Sequence, residues 1–208
     1  MTRLAISALV TLLVTVGPLD VASLFLGLAG EQNRDRRRRV ARRASLIGVV
    51  ILIAFALGGN ALLKLLDVGL PAFRAAGGIL LLLLAVDLLL ARHSGLSSIT
   101  PSEEREAERQ HDVAVFPLAI PLIAGPGSMT AVVLLMGRTE NSLQMGLILA
   151  IIVVVGAITF LAMIAADRLV GLLGQTGVNV IARVSGVILA ALAVQFIFDG
   201  IGQSGLLH

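Results

Sequence analysis

Six stretches of this chain, near residues 4–29, 44–66, 70–91, 113–137, 143–166 and 180–203, are each apolar over the ~20 residues a helix needs to cross a bilayer. A chain that is 57% hydrophobic, with mean hydropathy +0.99, cannot hide that surface in a soluble core. In hydrocarbon every backbone polar group must pair within the protein, so the six stretches read as helices. Together they use most of the 208 residues and leave no room for a separate soluble domain. The N-terminal MTRLAISALVTLLVTV has the order of a signal peptide. No small-x-small site follows, and apolar character continues to Ala29, so it reads as a retained first span.

Charge sets the orientation. EQNRDRRRRVARR, between spans one and two, holds seven arginines within residues 31–43. Such a run serves either as a topology determinant with attraction to anionic lipid or as a nucleic-acid arm. A short loop between two spans is where topology determinants belong, so no nucleic-acid partner is expected. With this loop inside, residues 92–112 and 167–179 are inside too. Twelve Lys and Arg then lie inside or at inner helix ends, Arg183 among them, against four outside (Arg3, Lys64, Arg74 and Arg138), and both termini face out. The absence of cysteine excludes disulfides and thiolate metal sites.

The two halves of the chain resemble each other. LPAFRAAGGILLLLLAVDLLL at 70–90 matches NVIARVSGVILAALAVQFIFD at 179–199, with Arg74 on Arg183 and Gly77 on Gly186. Gly17–Pro18 matches Gly125–Pro126 at nearly the same offset. Each half holds three spans, so the second copy enters the membrane from the opposite face. The chain is thus expected to be an all-α integral membrane protein: six transmembrane helices as two inverted-topology three-helix repeats, with spans 1 and 4 discontinuous. Residues 1–91 form the first repeat, 92–112 a charged cytoplasmic linker, and 113–208 the second repeat.

The discontinuities are read from helix breakers at matching places. Span one holds Gly17–Pro18; span four holds Pro117, Pro121 and Gly125–Pro126–Gly127. An interrupted helix exposes N–H groups at one half-helix end and C=O groups at the other, which suit a carboxylate and an ammonium. Such backbone persists at membrane depth only against protein or a watery cavity. The residues expected to bind substrate are therefore Gly17, Pro18, Leu19, Asp20, Ser23, Pro121, Gly125, Pro126, Gly127, Ser128 and Thr130. Asp20 is the only acid deep in an apolar segment. It serves either to couple transport to a proton or Na+ or to cap the freed N–H groups. Gly77, Gly78 and Gly186 read as close-packing positions.

Enzyme signatures are missing. The three histidines (His93, His111, His208) lie outside the apolar segments, and neither HExxH, GxGD nor a phosphate-binding loop occurs. No enzymatic activity, resident cofactor or metal site is expected.

PLDVASLFLGLAG at 18–30, LPAFRAAGGILLL at 70–82, PLAIPLIAGPGSM at 117–129 and IARVSGVILAALAVQFIFDGI at 181–201 resemble the MarC family of six-span bacterial and archaeal membrane proteins, which includes the SnatA-type amino-acid transporters. The resemblance implies a multi-pass protein of the cytoplasmic (inner) membrane, built of two inverted repeats. For some members it implies transport of small neutral amino acids such as glycine, alanine and serine. Where the family usually has Asn or Asp before the first proline, this chain has Gly17, with Asp20 three residues on as the nearest polar substitute. The expected function is secondary transport of a small neutral amino acid by alternating access, one repeat rocking against the other. The alternatives are a channel or exporter for another small solute and a non-transporting scaffold. Partners are the lipid bilayer and the solute, with oligomerisation left open.

Overall fold

The computed structural model describes residues 1–29, 33–90 and 114–204. Among these residues all regular structure is helical: α1 (Thr2–Val16), α2 (Pro18–Ala29), α3 (Arg34–Leu65), α4 (Leu70–Leu89), α5 (Ala114–Ile123), α6 (Pro126–Met136), α7 (Ser142–Ile164) and α8 (Ala166–Gly202). Five stretches are long and apolar enough to cross a bilayer: Thr2–Leu26, α3, α4, α7 and Asn179–Gly202 of α8. The pair α5 and α6, bent by 53°, makes a sixth if taken as one span.

Local chemistry sets the element ends. Asn141 caps α7, its side-chain oxygen accepting from the Gln144 N–H at 3.0 Å. Pro18 and Pro126 open α2 and α6, at a position where a helix needs no N–H. Within α5, Phe116 (φ −126°, ψ 126°) and Ile120 (φ −129°, ψ 124°) are extended. Each precedes a proline, whose ring excludes helical geometry from the residue before it. Residues 167–179, expected as an inner loop, are instead helical. The chain enters α8 at Ala166 and bends at Gly174 (φ 60°, ψ 172°) into its membrane leg. Leu169 and Leu173 are half-buried, so this first leg folds back on the bundle. The expected linker 92–112 lies outside the described residues.

The helices stack in three layers. α4 runs along α8 on one side, and α3 along α7 on the other. Between them lie α1, α2, α5 and α6: α2 packs on both α7 and α8, and α6 on both α3 and α4. Every residue of α6 from Ala131 to Met136 is buried, as a helix apolar all round requires. Nearly all extensive contacts join a helix of the first half to one of the second; α3 and α4, neighbours in the chain, share no extensive contact.

The α4–α8 seam is backbone against backbone. A Cβ at Gly78 would stand 2.7 Å from the Ala193 carbonyl oxygen, and one at Gly200 would stand 2.7 Å from the Pro71 carbonyl oxygen. Small residues let membrane helices approach this closely.

Ion pairs mark the two ends of the bundle. Arg37 of α3 meets Asp167 of α8 at 2.9 Å, and the Arg37 guanidinium lies over the Phe25 ring. At the opposite end Arg138, just past α6, pairs with Asp199 of α8 and stacks 4.3 Å from the Phe196 ring centre. Arg74, one turn into α4 and 6% exposed, donates to the Gln203 side chain and, at 3.0 Å, to the Gly137 carbonyl.

Candidate functional site

The junction of α1 and α2 within the first candidate span opens from the residues upward. α1 ends in Gly17 at φ 58°, ψ 64°, a left-handed conformation that glycine adopts without steric cost. The Gly17 N–H still donates to the Leu13 carbonyl at 3.0 Å, and the Gly17 carbonyl accepts from Val21 at 3.0 Å. Pro18 has no N–H, so the Val14 carbonyl has no donor four residues on. Asp20 stands in the first turn of α2, where the helix dipole favours a negative charge. Its carboxylate folds back over Gly17: a Cβ there would lie 2.8 Å from Asp20 Oδ2. Position 17 therefore requires a residue at home in the left-handed region, a property that Gly shares with Asn and Asp.

A cavity of about 510 Å³ meets the chain at this break. Leu13, Val14 and Gly17 to Asp20 form one wall; α7 contributes Leu161 and Ala162, α4 contributes Leu88, and both legs of α8 contribute, with Leu169 before the bend and Ser185 after it. Apart from Asp20 and Ser185 the lining side chains are apolar. The cavity lies towards the end of the bundle that carries the Arg37–Asp167 pair, since it takes in the last turns of α4 and α7 and the first leg of α8.

Of the residues expected to bind substrate, Gly17, Pro18, Leu19 and Asp20 line this cavity. Ser23 sits further along α2, half-buried and off the lining. The second break forms elsewhere and does not touch it. Pro121 is half-buried there, Pro126 is exposed, and Gly125, Gly127, Ser128 and Thr130 are buried in the bundle. Ser128, 1% exposed, is occupied internally: its hydroxyl accepts from the Gly125 N–H at 3.0 Å and donates to the Ile123 carbonyl at 2.8 Å. Gly127 packs against Leu84 of α4, and the Thr130 methyl against Gly77. The structure thus brings Gly17, Pro18, Leu19 and Asp20 to one cavity, and buries Gly125, Gly127, Ser128 and Thr130 of the second group away from it, with Pro126 exposed.

Sequence reasoning missed the polar cluster at the opposite end. One signal pointed to it: the charge count puts Arg74 and Arg138 on the same face.

Comparison with known proteins fits a bundle of this kind. The model of the MarC family of integral membrane proteins matches residues 2–204. The chain belongs to the MarC family. It is 34% identical to a UPF0056 membrane protein of Methanocaldococcus jannaschii over 198 residues, 95% of this chain and 94% of that one. It is 34% identical to the UPF0056 membrane protein YvbG of Bacillus subtilis, covering 95% of this chain and 92% of the relative. It is 33% identical to the UPF0056 inner membrane protein YhgN of Escherichia coli, covering 94% and 95%. MarC relatives thus occur in bacteria and archaea, and membership makes this an integral, multi-pass membrane protein. No solved structure matches the chain.

Proposed function

We propose that this MarC protein is a secondary transporter of small neutral amino acids that works by alternating access. The observation that carries the reading is the cavity at Gly17–Pro18. It places the carbonyl end of α1 beside the N–H end of α2. A zwitterion has the complementary pair of charges: its ammonium suits the Val14 carbonyl, and its carboxylate the first-turn N–H groups of α2. A volume of about 510 Å³ holds a small amino acid with water. Asp20 is the group that couples a proton or Na+ to this movement.

Two inverted repeats account for the layering. Exchanging the halves turns α1, α2, α3 and α4 into α5, α6, α7 and α8. The packing of α2 on α7 then becomes that of α6 on α3, and α2 on α8 becomes α6 on α4; both contacts of each pair are present. With the cavity at the first break and Gly125, Gly127 and Ser128 of the second buried, this reading has the molecule open towards the arginine-rich end, which the charge bias assigns to the cytoplasm. In the opposite state the second break, Gly125 to Ser128, lines the cavity. Because the halves interleave, the parts that move are the α4–α8 layer and the α3–α7 layer about the broken spans, rather than one half against the other.

The test is counterflow of labelled glycine, alanine and serine in proteoliposomes of the full chain. Saturable exchange is expected. Flux without counterflow would make it a channel, and no flux would make it a scaffold. Ala162→Phe, which fills the cavity from α7, should abolish exchange in a protein that still folds. Unchanged exchange in that variant would place the pathway elsewhere.

A further inference from the structure

The arginine run does more than orient the chain. From Ala44 to Leu63, α3 supplies the ~20 residues and ~30 Å that cross the hydrocarbon. Residues 34–43 continue the same helix beyond it. At about 1.5 Å per residue, Arg42 rises about 3 Å past Ala44, Arg39 about 8 Å and Arg38 about 9 Å, whereas Arg36 and Arg34 stand about 12 and 15 Å out. The headgroup layer on one side of a bilayer is about 5–8 Å deep. Arg42 and Arg39 thus fall at its level and Arg38 at its outer edge, whereas the outer two pass beyond it.

These three arginines share one helix face, Arg38 and Arg42 four residues apart and Arg39 and Arg42 three apart, and all are exposed. Like charges at that spacing repel, and an anion between them relieves the repulsion. Arg37 is excluded from the set, since Asp167 and the Phe25 ring already hold it. That ion pair also ties the first leg of α8 to this end. The leg shows a second interfacial feature, exposed Arg168 one turn from Leu172, which is 87% exposed. An exposed leucine one turn from an exposed arginine suits a membrane surface, where the apolar side chain enters the lipid and the cation meets phosphate.

We propose that Arg38, Arg39 and Arg42 form a binding site for the phosphate of an anionic phospholipid. The site lies on the outer flank of α3 and is independent of transport through the cavity. The full chain, purified in a neutral detergent, is titrated with phosphatidylglycerol or phosphatidylcholine, and the half-saturating lipid concentration is read from the rise in thermal unfolding midpoint by circular dichroism. Each arginine at headgroup depth is worth on the order of fivefold in affinity. R38Q/R39Q/R42Q should therefore raise the half-saturating phosphatidylglycerol concentration by about 100-fold, towards that of phosphatidylcholine. R34Q/R36Q should change it by less than about threefold. The single variants R38Q, R39Q and R42Q keep the test available if the triple variant folds poorly. Undiminished phosphatidylglycerol preference in the triple or single variants would overturn the proposal. So would an equal loss in R34Q/R36Q, because attraction would then be diffuse. Tighter retention of a duplex oligonucleotide than of phosphatidylglycerol by the same three arginines would also overturn it.

Discussion

Gly78→Ala adds one methyl group at one of the two tightest points of the α4–α8 seam. The new Cβ would stand 2.7 Å from the Ala193 carbonyl oxygen, 2.7 Å from Ile197 Cγ1 and 3.0 Å from the Ile197 backbone nitrogen. The Ile197 side chain can turn away, but the two backbone atoms belong to α8 and move only with the helix. Restoring ordinary contact requires a shift of roughly 0.7 Å. Because Gly186 and Gly200 hold the same seam closed, that shift loosens packing along much of the interface. Overpacking of this kind costs about 1–3 kcal/mol, and the gain from replacing a helical glycine returns about 0.5–1 kcal/mol. The expected net loss is about 1–2 kcal/mol, or roughly 2–8 °C in thermal unfolding midpoint for a chain of this size. Gly58→Ala in α3 is the control, since a Cβ there meets nothing within 4 Å. It should hold or raise the midpoint. The reasoning fails if Gly78→Ala, measured by circular dichroism in the same detergent, melts with or above Gly58→Ala.

Other outcomes follow from the same geometry. Gly17→Ala must place a methyl-bearing residue in the left-handed region and should cost about 1–2 kcal/mol in chemical or thermal unfolding, whereas Gly17→Asn should cost less; equal losses would mean that crowding by Asp20 rather than backbone conformation decides. Ser128→Ala strands the Gly125 N–H and should destabilise by about 1–3 kcal/mol, and a midpoint equal to wild type would show that water replaces the hydroxyl. In a double-mutant cycle, Arg138→Ala and Asp199→Ala should couple by about 1 kcal/mol, the scale of a half-exposed pair, and strict additivity would remove the pair as a tie between α6 and α8. Asp20→Asn should keep amino-acid binding but lose exchange driven by a proton or Na+ gradient; unchanged driven exchange would leave Asp20 as a helix cap.

Hydropathy located the membrane helices because burial in lipid leaves a pattern in composition alone. Element ends were partly legible: α2 and α6 begin at Pro18 and Pro126, and Phe116 and Ile120, each before a proline, are extended. Packing was not legible. Gly17 and Gly125 look alike in the sequence, yet the first borders a cavity and the second is buried, because that difference depends on how α4, α7 and α8 close around each. Ser128 reads as a ligand group until its neighbours show both its donor and its acceptor engaged. The first leg of α8 read as a loop because it is short and rich in glycine, and its helix is held by tertiary contacts, among them the tie from Asp167 to Arg37, that local propensity does not encode.

The interleaving of the halves also bears on how the protein is made. α1 to α4 find almost none of their lasting partners among themselves, since α4 waits for α8, α3 for α7, and α2 for both. At about 5–20 residues per second, roughly 5–25 s pass between the emergence of α4 and that of the last helix. α5 to α7 can dock on α1 to α3 as they emerge, but throughout that time the small-residue face of α4 lies open to any other helix in the membrane. The cell's insertion machinery, or the lipid itself, has to keep that face unoccupied until α8 arrives.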